Sequence, residues 1–205
     1  MKKICFVHIP KCGGTSIRQS LLYSGFYTGQ PGHRTDTQHK KLDSHCRFDI
    51  YIAQVRNPYE RIISSYNFMH RQYHKYDGLV KKEIYERHIH YELNDWIKLL
   101  VDDGEEYFHA ADPIKDGMNH PRYCCKPQNW WIRLEETKTF KIEEQTIWGF
   151  FNDCDMDVPK FHSRKSHPVA TNPVLKTRND LNKESITIIN LRYKEDFRRF
   201  NYEQI

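Results

Sequence analysis

Hydrophobic positions along this 205-residue chain change period several times, and each change marks an element. The opening "KKICFVHI" is a short β-rich run, the pattern of a buried strand. "SIRQSLLYSG" follows, with Ile17, Leu21 and Leu22 at helical spacing and Gly25 as a stop. Residues 27–47 are polar and turn-rich and read as loop with at most one helical turn. "FDIYIAQV", 48–55, is the clearest strand. "PYERIISSYNFMHRQY" then opens a helix with Pro58 in the first turn, where its missing N–H has no intrahelical acceptor to lose. A helix is expected over about 79–103, then an irregular stretch over 104–128 with Pro113, Gly117, Pro121 and Pro127. "TKTFKI" reads as a short strand, "EEQTIWGFFNDCD" as a helix and "VPKFHSRKSHPVATNP" as a loop. "NKESITIINLRYKEDFRRFNY" reads as one amphipathic helix with Ile186, Ile189, Tyr193 and Phe197 on its stripe. Strands separated by helices predict an α/β fold of three layers, a central parallel sheet flanked by helices on both faces. The length predicts a single domain over residues 1–205.

Composition narrows the classes. Thirteen Tyr, eleven Phe and four Trp exclude a disordered chain, which is aromatic-poor. The 32 basic against 27 acidic residues leave +5, which suits an anionic ligand but is too small and scattered to call for nucleic acid. The apolar run "ICFV" is broken at once by His8, Pro10 and Lys11, so neither a signal segment nor a membrane span is expected. A cytoplasmic location is the expectation from these residues. The six Cys (5, 12, 46, 124, 125, 154) contain no CxxC pair, so no zinc ribbon is expected and free thiols are. His70 with His74, and His88 with His90, lack a third ligand and read as exposed helix residues rather than a metal site.

The chemistry concentrates in two segments. "FVHIPKCGGTSIRQSL", 6–21, is strand, glycine turn and helix. Such a junction aims free backbone N–H groups and the positive end of a helix at one point, a ready anion site. Gly13 and Gly14 permit close backbone approach, Thr15 and Ser16 can cap or donate, and Lys11 adds a full charge. A plain capped turn needs fewer of these. A nucleotide loop of the GxxxxGK[ST] type fails, because Lys11 precedes the glycines. A cysteine-phosphatase loop fits the spacing Cys12, five residues, Arg18, with Cys12 as nucleophile beside Lys11. Sulfuryl transfer from a nucleotide donor is the third chemistry, and a binding module without turnover is the non-enzymatic alternative. The second segment, "VRNPYERIISSY", 55–66, puts Arg56 at a strand edge and Ser64 eight residues on, a pair able to grip a second phosphate.

Together, "HIPKCGGTSI" and "VRNPYERIISSY" resemble the two donor-binding segments of sulfotransferases that use 3′-phosphoadenosine-5′-phosphosulfate (PAPS), closest to the carbohydrate or Golgi-type branch with its HIPKTGGTS and RNPxxRxxSxY forms. "KPQNWWI", "TFKIEE" and "INLRYKEDFRRFNY" resemble later segments in the same order, so the likeness spans nearly the whole chain. The resemblance implies a P-loop-like fold, PAPS as donor with 3′-phosphoadenosine-5′-phosphate (PAP) as product, and a hydroxyl-bearing acceptor, a glycan rather than a small phenol. It implies that Lys11, Cys12, Gly13, Gly14, Thr15 and Ser16 cradle the 5′-phosphosulfate, and that Arg56 and Ser64 hold the 3′-phosphate. Cys12 stands where the family usually has Thr, and its backbone N–H is expected to serve instead. The family carries its general base between the two segments, where this sequence offers His33, His39 and His45. Gly32-His33-Arg34-Thr35 with Leu42 favours His33, with His39 in reserve. Lys11 is expected to stabilise the leaving oxygen, and no metal is required, since a sulfuryl group carries less charge than a phosphoryl group. The basic loop "FHSRKSH", through Arg164 or Lys165, is a further candidate to cover the nucleotide; Trp130 and Trp131 can pack the core or stack on an adenine or a sugar, and core packing is the expectation.

Overall fold

The computed structural model describes residues 3–26, 33–42, 48–75, 89–102, 124–160 and 175–205. Gly32, His45, Cys46, His88 and the loop bearing Arg164 and Lys165 lie outside the described residues. Three strands, β1 (Ile4–Val7), β2 (Ile50–Val55) and β3 (Lys138–Lys141), form one parallel sheet in that order. Ile4 pairs with Ile50, Val7 with Ala53, and Val55 with Lys141. The chain groups into two compact units, Met1–Asn57 with Pro127–Lys165, and Pro58–Lys126 with Ser166–Ile205.

The first unit holds the sheet with α1 (Gly14–Tyr23), α2 (Asp36–Leu42) and α5 (Thr146–Asp153). Ile4, Phe6 and Ile52 on one face of the sheet pack with Ile17 and Leu21 of α1 and with Ile147 and Phe151 of α5. Each such fully buried side chain contributes about 1.5–3 kcal/mol. Cys5, Val7, Ala53 and Val55, on the opposite face, are buried too. That is why the strands read as continuous apolar runs rather than alternating ones. The α/β class with a parallel sheet and flanking helices is therefore present.

Where the sequence suggested one helical turn at most, α2 has two. Its start is a capping box: Gln38 N–H donates to Thr35 Oγ1 at 3.1 Å, and Thr35 N–H donates to Gln38 Oε1 at 2.8 Å. Asp36, fully buried, accepts from the N–H groups of Arg133 and Leu134 and from the Thr137 hydroxyl, at 2.8–3.0 Å. This carboxylate ties α2 to the chain leading into β3.

The second unit is helical: α3 (Pro58–Lys75), α4 (Leu93–Asp102), α6 (Lys183–Arg192) and α7 (Lys194–Arg199). Tyr59, Ile62, Ile63, Tyr66 and Met69 of α3 form its core with Trp96 and Ile97 of α4 and with Ile189, Tyr193 and Phe197. Two expected helices differ. Residues 79–88 and 103 of the helix expected over 79–103 lie outside the described residues; within the rest, residues 90–92 are non-helical and α4 begins at Leu93. There Tyr91's carbonyl accepts from the Tyr66 hydroxyl at 2.9 Å, and Trp96 N–H donates to Glu92 as the first helical bond. The terminal helix breaks at Tyr193 (φ −107°, ψ 21°), whose buried hydroxyl donates to the Cys125 carbonyl at 2.6 Å. The expected stripe of Ile189, Tyr193 and Phe197 is buried all the same.

Five cysteines, Cys5, Cys12, Cys124, Cys125 and Cys154, are free thiols, and burial pushes Cys125 far up. His70 is half-buried and packs on Tyr66, ring centroids 4.3 Å apart, rather than lying exposed. No helix among the described residues is long and apolar enough to cross a membrane.

Candidate functional site

The site is built in the first unit, on the turn between β1 and α1. Lys11 (φ 66°) and Gly13 (φ 74°) both adopt the left-handed conformation, which bends the chain sharply before the helix. For lysine that conformation costs about 1–3 kcal/mol and needs surroundings that enforce it. Gly13, not Thr15 or Ser16, is the N-cap, and it brings no side chain to the helix end. The first turn of α1 carries no acidic residue, and its N-cap makes no side-chain bond to the helix end. Gly13 and Thr15 are exposed, Lys11 and Ser16 half-buried, and Gly14 and Cys12 buried.

Packing requires both glycines. A Cβ on Gly14 would lie 2.2 Å from His8 Cδ2, and one on Gly13 2.7 Å from Ile142 Cδ1 and 2.9 Å from Gln54 Nε2. The turn is tied down from below. Gln54 Nε2 donates to the Cys12 carbonyl at 2.8 Å, and Cys12 N–H donates to the Ile9 carbonyl at 3.4 Å. Cys12 N–H thus also serves the turn itself.

Just past β2, Arg56 is gripped by a residue that sequence reasoning missed. Gln128 opens the short 3-10 turn Gln128–Trp130, and its fully buried Oε1 accepts from Arg56 N–H at 2.8 Å and from the Cys12 thiol at 3.2 Å. Its Nε2 donates to the Arg56 carbonyl at 2.8 Å. The Arg56 guanidinium Nη1 lies 3.5 Å from the Lys11 carbonyl. The two cationic junctions are thus neighbours.

His33 stands beside this turn. Its Nδ1 is 2.6 Å from the His8 carbonyl. A carbonyl only accepts, so Nδ1 carries a proton, and in the neutral ring the lone pair is on Nε2. The His33 ring packs against His8 (centroids 4.2 Å) and, edge-on, near Trp131 (6.2 Å). His8 in turn sits against Gly14, which links the imidazole pair to the turn. Burial, and then the charges of His33, Arg18 and Lys11, hold His8 well below the ordinary imidazole range, so it stays neutral. His33 is half-buried, whereas His39, on α2, is 1 % exposed.

A model of the sulfotransferase family matches residues 1–203, through both junctions and both units. The chain belongs to the sulfotransferase family. No curated protein and no solved structure matches it.

In this sulfotransferase the phosphatase reading of Cys12 and Arg18 finds no support. The Cys12 thiol is buried and faces two acceptors, Gln128 Oε1 and, at 3.6 Å, the Pro10 carbonyl, rather than an open site. Arg18 lies in the second turn of α1, since the helix begins at Gly14. Of the adjacent serines on α3, in the second unit, Ser65 is buried within hydrogen-bond distance of the Arg61 and Cys124 carbonyls, whereas Ser64 is only half-buried. Trp131 is fully buried, as expected of a core residue; Trp130 is half-buried with the Arg133 guanidinium 5.1 Å from its ring. Among the described residues no three His, Cys, Asp or Glu side chains gather as a metal site. The sequence does carry a signal for Gln54, a lone amide in the apolar run "IAQV", and a weaker one for Gln128, beside Asn129 in "PQNWW", but it does not name their partners.

Proposed function

We propose that this sulfotransferase moves a sulfuryl group from PAPS to a hydroxyl of a carbohydrate acceptor, releasing PAP. The observation that carries the reading is the Arg56 guanidinium lying against the Lys11 turn, two cationic junctions a nucleotide's length or less apart. The Lys11–Ser16 turn, with Gly14 and Thr15 N–H groups at the open end of α1, takes the 5′-phosphosulfate, and Arg56 takes the 3′-phosphate. Cys12 shapes the turn from beneath.

The acceptor oxygen attacks sulfur in line with the bond to the 5′-phosphate. One S–O bond forms as the other breaks, and the electron pair leaves on the phosphate oxygen. Lys11 and the helix-end N–H groups stabilise charge there. The acceptor proton passes to His33 Nε2, because the Nδ1–H bond to the His8 carbonyl fixes that tautomer. His39 is too buried to meet an acceptor. For the acceptor class, support comes from the motif likeness and from half-buried Trp130, whose ring suits the C–H face of a sugar, with Arg133 beside it. The family match across both units supports one functional domain over residues 1–205.

Thermal unfolding with PAP or AMP tests the donor. At a hundred times its Kd a ligand stabilises the fold by about 2.7 kcal/mol. For a chain of this size that raises Tm by about 5–10 °C. PAP is expected to give this shift and AMP, at equal concentration, a clearly smaller one. Equal shifts would remove Arg56 as a 3′-phosphate ligand.

A further inference from the structure

We propose that Gln128 is a positioning residue whose buried carboxamide locks the Lys11–Ser16 turn and Arg56 at one fixed spacing, so that a ligand with two phosphates is read as a unit. This rests on the donor reading above.

The sheet shows why such a part is needed. β1 stops pairing with β2 at Val7 opposite Ala53, so on that side Arg56 has no strand to hold its backbone. The Gln128 side chain takes the strand's place, accepting the Arg56 N–H and donating to the Arg56 carbonyl, both at 2.8 Å. The same Oε1 accepts the Cys12 thiol from the opposite junction at 3.2 Å. One oxygen therefore joins a residue of the first anion-holding segment to a residue of the second. The amide is fully buried, so water does not stand in for a lost bond at low cost. Gln54, holding the Cys12 carbonyl, fixes the turn on β2 but makes no such bond to Arg56. Gln128 is the bridge between the two.

The readout is the ratio of Kd for AMP to Kd for PAP, measured by calorimetry beside Tm. A residue that only fills the core lowers Tm and leaves the ratio alone. Gln128→Leu is expected to lower the ratio about tenfold, as one lost buried hydrogen bond does. A second pair approaches from the other side. Cys12→Thr keeps a donor for Gln128 and Cys12→Val, of the same shape, does not; the ratio for the Thr variant is expected to exceed that for the Val variant about fivefold. Should Gln128→Leu fail to fold, the Cys12 pair decides alone. Ratios equal to wild type in Gln128→Leu, or equal between the two Cys12 variants, would overturn the proposal while leaving the donor reading intact. A wild-type protein that does not prefer PAP would overturn both.

Discussion

Replacing Lys11 by alanine is expected to lower kcat about 10²–10³-fold, the range seen when one preorganised oxyanion donor is removed. The loss should appear mainly in kcat. Charge builds on the bridging phosphate oxygen only as the S–O bond breaks, so the ammonium acts more on the transition state than on bound donor. Stability should change little. Lys11 is half-buried on the turn, its left-handed φ of 66° is retained by alanine at similar strain, and the turn stays tied through Cys12 to Gln54 and Gln128. Lys11→Arg keeps the charge but spreads it over a planar fork, so partial activity is expected. Single-turnover rates with saturating donor give the answer. A Lys11→Ala enzyme within about fivefold of wild type would mean that the leaving oxygen is stabilised elsewhere.

The second large effect is expected at His33. His33→Gln should lower kcat about 10²–10⁴-fold, the usual contribution of a positioned general base. It should also change the pH profile. The base works only with Nε2 unprotonated, so wild-type kcat/KM falls as pH falls and His33 takes up a proton. His8 does not compete for that proton, since burial and the nearby charges of His33, Arg18 and Lys11 keep it neutral. The acidic limb therefore belongs to His33 and should be absent in His33→Gln. A limb that persists in that variant, and disappears in His39→Gln, would move the base to α2.

Both strand–helix junctions were legible in the sequence because their signals are local. A continuous apolar run ended by Lys-Cys-Gly-Gly marks the β1 junction, and a strand followed by Pro58 at a helix start marks the Arg56 junction. The start of α2 was equally local, in Thr35-Asp36-Thr37-Gln38, but its polar composition looked like loop. What stayed hidden depends on residues far apart along the chain. The breaks before α4 and at Tyr193 accompany tyrosine hydroxyls bonding carbonyls 25 and 68 residues away. Periodicity, which reads only neighbours, continued the helices through both. Gln128 reaches Arg56 across 72 positions and Cys12 across 116. Cys12 is legible only in part: its spacing to Arg18 also fits a nucleophile loop, and the burial of its thiol against Gln128 is not visible in the sequence.

The most direct test is a crystal structure with PAP bound. The account predicts the 5′-phosphate at the first turn of α1 within hydrogen-bond distance of Lys11 Nζ, and the 3′-phosphate of that same molecule on the Arg56 guanidinium. PAP seated with its 3′-phosphate away from Arg56, or with its 5′-phosphate away from the glycine turn, would contradict it.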